Sequence, residues 1–277
     1  MNCDSYFEIG SAHLVCQDYA LCGSYKDMFY GIVSDGCSSA EYSELGAQIL
    51  CHTTRYFLAL YYDLFYNFIN IESLASLLGN SIRTRADEIR KIYPISKDSL
   101  QATLLIAAMV NGRGFVFAWG DGVIIKSSET FKSAVYEIDY PLNNAPVYLM
   151  TDVEAYIKKF GPDQLSKNMK QYFIVFSPEK ACQILNSDVS SQPYNKPYFN
   201  TFPIKSGDFI TIATDGLSQY LDQNKKPIDI VKIIPQILDY PNYNGQFLKR
   251  TMNFMKRDIA NKFWSHGDDI GIATLIN

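Results

Sequence analysis

With 277 residues, 47% of them hydrophobic, and a formal net charge of −4, the chain has ample apolar material for a large core and no basic surface suited to a nucleic acid. The N-terminus lacks a basic segment followed by an apolar stretch, and the most apolar helical run, residues 56–69, is interrupted by Asp63 short of the roughly 20 residues of a membrane span. A cytoplasmic protein with no nucleic-acid and no membrane partner is expected. Six cysteines without a Cys-x-x-Cys pair, and only three histidines, argue against structural zinc; free thiols are expected rather than a disulfide framework.

In chain order, the apolar run 29–33 reads as a strand and is followed by two helical stretches, 41–69 and 71–92, the second stopped by Pro94. Runs 102–110 and 115–119 read as strands joined by a hairpin at Asn111-Gly112-Arg113-Gly114. Further strands are predicted at 123–125, 172–176, 209–213 and 270–276, and a late helix at 245–264. Residues 140–206 are rich in Pro, Asn and Ser, with NNAP at 143–146 and SSQPYNKPYFN at 190–200, and read as a loop-rich variable flap: a lid or binding surface. Such an order lacks the strict alternation of a doubly wound fold. It suits an α+β fold with sheets packed face to face and helices outside, and without an internal repeat residues 1–277 read as a single domain.

Three strand-like runs end in Asp-Gly: FYGIVSDG at 29–36, FVFAWGDG at 115–122 and FITIATDG at 209–216; a fourth, GDDIGIATLI at 267–276, opens on an Asp pair. Any one Asp-Gly is explained by a turn. Together, carboxylates held at the ends of buried strands make a multivalent oxygen site for a hard cation.

These elements, with VCQDYALCG at 15–23 and IVSDGCSSAEYSELGA at 32–47, occur in the order seen in the metal-dependent type 2C protein Ser/Thr phosphatases, and the chain resembles their bacterial branch from about Ser11 onward. The resemblance implies a four-layer α-β-β-α sandwich with two central antiparallel sheets. It also implies hydrolysis of phosphoserine or phosphothreonine on a protein, a Ser/Thr kinase or its target, by a water bridging two divalent cations, Mg²⁺ or Mn²⁺. Asp35 would bridge both ions, the Gly36 carbonyl would bind one, Asp215 and Asp268 would complete the shell of the second ion, and Asp18 would orient coordinated water from outside that shell. Asp121 and Asp215 fit a third position, expected to be weak because Gln219 stands where an acid is usual. Asp269 occupies a position where the family often has Asn, and buried hydrogen bonding and ligation are equally open to it.

Gln17 replaces a common acid, and Cys37 stands where many eukaryotic members carry a histidine. His13, five residues before Asp18, is either a phosphate-binding or proton-donating residue or a structural histidine on an early strand. His52 reads as structural, His266 as able to reach the rim of the cleft, and Cys37 as either reactive or a small filler in its turn. Two other functions stay open: a phosphoprotein-binding module that has lost turnover, and a phosphatase for a small metabolite.

Overall fold

A computed structural model describes the chain except residues 69, 129–131, 141–145, 161–165, 178–179, 194–195 and 241, and the backbone alone at 132, 159–160, 166–168, 172–177 and 180–193. A five-stranded antiparallel sheet contains β2 (Asp18–Tyr25), β3 (Met28–Asp35), β4 (Leu104–Val110), β5 (Arg113–Trp119) and β10 (Tyr198–Pro203), in the order β10-β5-β4-β3-β2. A seven-stranded sheet contains β1 (Asn2–Glu8), β6 (Gly122–Ser127), β7 (Lys132–Asp139), β8 (Ser166–Ser177), β9 (Lys180–Pro193), β11 (Phe209–Ala213) and β14 (Ile270–Ile276), in the order β1-β14-β11-β6-β7-β8-β9. The short β12 (Tyr220–Leu221) and β13 (Ser265–His266) pair beside it.

Three apolar layers explain why the central strands read as unbroken hydrophobic runs rather than alternating ones. Val33, Leu105, Ala107, Val116, Ile124, Ile210, Ile212 and Leu275 fill the space between the sheets. On the outer face of the five-stranded sheet, Ile32, Ile106 and Phe117 pack under α1 (Ser43–Leu60), α2 (Tyr62–Asn67) and α3 (Ile71–Ile92). On the other outer face, Val123, Ile125 and Ile272 pack under α5 (Ile230–Leu238) and α6 (Phe247–Asn261). Strands buried on both faces need no polar face. The result is the expected α-β-β-α sandwich with two large antiparallel sheets.

The predicted helix 71–92 matches α3. Leu74, Leu78, Ile82 and Ala86 form its buried stripe, the Asn70 side chain accepts from the Ser73 amide (2.9 Å), and Arg90 and Lys91 lie in its last turn. The predicted helix 41–69 is two helices that break at Tyr61, which turns α2 so that Phe65 enters the core edge-on to Phe115, with centroids 5.3 Å apart. The predicted helix 245–264 is shorter, as α6.

The described residues of 140–206 are mostly regular secondary structure rather than the expected loops. They hold α4 (Val153–Phe160), the long antiparallel pair β8 and β9 that extends the seven-stranded sheet, and β10. The predicted strand 172–176 lies inside β8, while residues 143–145 of NNAP fall outside the described residues. Among the described residues no helix is long and apolar enough to cross a membrane.

Phe65 is fully buried against two rings of β5, those of Phe115 and Phe117. Phe65→Ala is expected to lower stability by about 3–5 kcal/mol, read from the urea midpoint. Asn70→Ala, which removes only a helix cap, should lower it by about 1 kcal/mol.

Candidate active site

Face-to-face stacking brings the Asp-Gly ends together. Asp18, first residue of β2, pairs in register with Asp35, last of β3, and their carboxyl groups are hydrogen-bonded to each other. The Asp35 amide donates to Thr103 Oγ1 (2.9 Å), and the Thr103 amide donates back to the Asp35 carbonyl (2.8 Å). From the opposite sheet, the Thr214 hydroxyl donates to Asp18 Oδ2 (2.6 Å) while accepting from the Gly271 amide (2.8 Å). One hydroxyl thus ties β2 of one sheet to the loop after β11 and to β14 of the other.

Gly36 follows Asp35, where the chain must pass the start of α1. A Cβ there would stand 2.6 Å from the Ser43 carbonyl oxygen, so a close approach as well as the turn requires glycine. Gly216 has the same constraint at the third Asp-Gly: its Cβ would lie 1.8 Å from the Asp269 carbonyl oxygen, which is how closely the loop after β11 meets the loop before β14.

Asp121 sits in the turn between β5 and β6, and its Oδ1 is buried without a hydrogen-bond partner. Asp215 opens the 3₁₀ turn Asp215–Ser218, with the Gln219 amide donating to its Oδ2 (2.6 Å). Asp268 precedes β14, and its Oδ1 accepts from the Asp269 amide (2.9 Å).

The charges of these acids act on one another. Burial, then the neighbouring carboxylates, push Asp35 and Asp121 well above the usual carboxylate range. Burial, opposed by the Thr214 and Asp35 hydrogen bonds, pushes Asp18 to about 8. Burial and Asp268 push Asp215 to about 6. Among the described residues, the one basic side chain in ion-pair range of the cluster is His13, with Nδ1 3.8 Å from Asp268 Oδ1 and 3.0 Å from Asp269 Oδ2. Although the second distance is short, the imidazole is not aimed along it and Nδ1 makes no hydrogen bond, so the contact is electrostatic.

An all-carboxylate, uncompensated donor set with an orphaned buried oxygen on Asp121 suits a hard divalent cation. Among the described residues, no three His, Cys, Asp or Glu side chains stand close enough to hold one ion as they are placed. The fit is therefore one of chemistry and charge.

Asp269 is 2% exposed. It accepts from the Gly10 amide (2.7 Å) and the Gln17 amide (2.6 Å), clamping the 9–17 loop onto the chain 252 residues later. Of its two open roles, the geometry gives the hydrogen-bonding one. His13 rides on that clamped loop, not on a strand, and with Gln219 and Asp268 lines a cavity of about 470 Å³. His52 is exposed on α1, with Nε2 3.2 Å from the Tyr19 hydroxyl. His266 is held by Glu8 (3.2 Å), whose hydrogen bond raises the imidazole pKa.

Thr103, Thr214 and Tyr148 are missing from the sequence reading. Each threonine left a signal: one immediately precedes the apolar run of β4, and the other immediately precedes the third Asp-Gly. Tyr148 left none. It stands beside Cys37 and lines, with Cys37, Gln101 and Thr151, a second cavity of about 400 Å³.

The model of the protein phosphatase 2C family matches residues 10–253, a span that contains Asp18, Asp35, Asp121 and Asp215. This chain belongs to the protein phosphatase 2C family. Solved structures of family enzymes share its fold over nearly their whole length. The serine/threonine phosphatase of S. agalactiae is 15% identical, with a TM-score of 0.57 and 99% of each chain covered. A bacterial serine phosphatase is 11% identical, with a TM-score of 0.56, 99% of this chain and 96% of that one covered. PstP of Mycobacterium tuberculosis is 12% identical, with a TM-score of 0.51, 98% of this chain and 96% of that one covered. Comparison with curated protein sequences returned no significant match. At these identities the likeness is one of fold, and the site of this phosphatase 2C family member rests on its own residues.

Asp269→Ala would leave two amides without an acceptor and should destabilise the protein by about 2–4 kcal/mol by urea unfolding, with Asp269→Asn milder because it keeps one acceptor. A second expectation concerns pH. The Asp18 carboxyl titrates near 3.8 in the unfolded chain and near 8 in the fold, so between those values the folded state holds more protons. The stabilisation is therefore complete below the unfolded value and is lost as pH rises through the folded one. In chelator, the urea midpoint of the wild type should fall from about pH 5 to about pH 8, and Asp18→Asn, which mimics the protonated acid, should flatten that fall.

Proposed function

We propose that this protein is a metal-dependent phosphatase that removes phosphate from phosphoserine or phosphothreonine on a protein, a Ser/Thr kinase or its target, in the cytoplasm. The observation that carries the reading is the gathering of Asp35, Asp121, Asp215 and Asp268 at strand ends, where Asp121 and Asp215 raise the pKa of Asp35, and Asp268 raises those of Asp121 and Asp215. In this reading Asp35, the Gly36 carbonyl, Asp215 and Asp268 hold two Mg²⁺ or Mn²⁺ ions. Bound there, the ions would lower the pKa of a water and neutralise the phosphoryl oxygens during in-line attack.

The chain's own groups do the rest. Asp18, locked by Asp35 and the Thr214 hydroxyl, is fixed in orientation and can hold the attacking water by hydrogen bond. Thr103 keeps the backbone at Asp35 from shifting by bonding both its amide and its carbonyl. His13, on the rim of the larger cavity beside Asp268, is within reach to hold the substrate phosphate or protonate the departing alkoxide. The wall of Cys37, Tyr148 and Thr151 borders the first Asp-Gly and supplies a surface for the protein substrate. Gln219 already occupies Asp215 Oδ2, so a third ion beside Asp121 binds weakly.

Phosphate release from a phosphothreonine peptide should require Mn²⁺ or Mg²⁺, stop in chelator, and be abolished in Asp35→Asn with the protein still folded by circular dichroism. Turnover that persists in either condition overturns the two-ion reading, and a folded wild type with no turnover on any phosphopeptide points to a binding module instead. Asp18→Asn should cost only about 10- to 100-fold. If His13 protonates the leaving group, His13→Ala should slow alkyl phosphopeptides more than p-nitrophenyl phosphate; equal losses leave it a phosphate-holding or structural residue.

A further inference from the structure

We propose that Cys3 and Cys22 are an oxidation site, two thiols placed to close into a disulfide when the protein meets a peroxide. The placement follows from the alternation of β1. Its even-numbered residues turn to α6: Asp4 accepts from the Leu248 amide (2.7 Å), and Glu8 pairs with Lys256 (2.6 Å). Its odd-numbered residues turn to β2: the Phe7 ring lies 5.2 Å from that of Tyr19, and Ser5 and Cys3 lie beside Cys22, the two thiols close enough for each to act on the other's charge. Cys3 Sγ also lies 3.6 Å from the Gly23 carbonyl oxygen, one residue past its partner.

Both thiols are half-buried, open enough for a small oxidant. Cys16 and Cys51 lie apart from them, each beside a backbone carbonyl, that of Asp18 at 3.5 Å and that of Tyr19 at 3.8 Å. The Cys3 S–H is held on the Gly23 carbonyl, and the Cys22 thiol, pushed below its ordinary range beside Cys3 and Ser5, supplies the thiolate.

The reaction balances with hydrogen peroxide as the oxidant. The Cys22 thiolate attacks one peroxide oxygen; an S–O bond forms, the O–O bond breaks, and the departing hydroxide takes a proton to become water, leaving a sulfenic acid. The Cys3 sulfur then attacks the Cys22 sulfur, the S–O bond breaks, and the Cys3 proton leaves with the hydroxide as a second water. Two thiols lose two electrons and one peroxide gains them. The bridge would join the edge strand of one sheet to the edge strand of the other and close a ring around the loop that carries His13 and around Asp18. The site stands independently of the phosphatase reading.

The test is hydrogen peroxide on the reduced full chain, followed by alkylation of remaining thiols, non-reducing digestion and mass spectrometry. The expected result is one cross-linked species joining the Cys3 and Cys22 peptides, lost on reduction and lost in Cys3→Ala and in Cys22→Ala, with a higher urea midpoint for the bridged form. Cys22 driven to sulfinic acid with Cys3 still alkylated, Cys22 bridged to another cysteine, or both thiols alkylated in full after treatment would each overturn it. The wild-type map decides the matter even where a variant folds poorly.

Discussion

Acids of like charge do not gather unless something holds them, and in this protein the backbone does the holding. Asp18 and Asp35 are neighbours because β2 and β3 are in register at that point, and Asp35 is pinned through Thr103 on the strand entering β4. Asp215 and Asp268 are neighbours because the loops that carry them leave no room even for a Cβ at Gly216. Burial, and after it the repulsion, is expressed instead as proton affinity: the carboxyls sit well above their ordinary pKa. The fold thus maintains an arrangement that a divalent cation would relieve.

The layers serve this end. Strands buried on both faces cannot slide, because a slip of one residue would carry apolar side chains out of one core layer and into another. The three apolar layers therefore fix the strand ends that carry the acids. Thr214 supplies the cross-link between sheets that packing alone does not, since its hydroxyl serves Asp18 on one side and the Gly271 amide on the other.

How much was legible follows from the same physics. The strand ends at Asp35, Asp121 and Asp215 were readable because an unbroken apolar run followed by Asp-Gly is a local pattern, and α3 was readable because its stripe, its Asn70 cap and Pro94 all lie close together in sequence. Edge strands were not. β1 reads NCDSYFE because its even residues meet α6 rather than a continuous core, and the length of β8 and β9 was hidden among polar residues at the far edge of the sheet. α5 was hidden by Pro235 within it. Asp269 looked like half of an acidic pair, and its role depends on amides at Gly10 and Gln17 that no local window contains. Tyr148 is set beside Cys37 only by the path of the chain before α4.

β14 lies between β1 and β11 in the seven-stranded sheet, although it follows every other strand in sequence. As the chain is synthesised, β1 has no partner in that sheet until residues 270–276 emerge, and the amides of Gly10 and Gln17 lack their acceptor until Asp269 does. Pairings of such sequence separation carry a high loop-closure cost and form late. In the five-stranded sheet β2 with β3 and β4 with β5 are hairpins, and its pairings through β5 can assemble before them. The acidic loops then meet only in the final closing step, so the charged centre is the last part of the molecule to exist, and a chain halted before β14 would keep a hydrophobic layer bare to solvent.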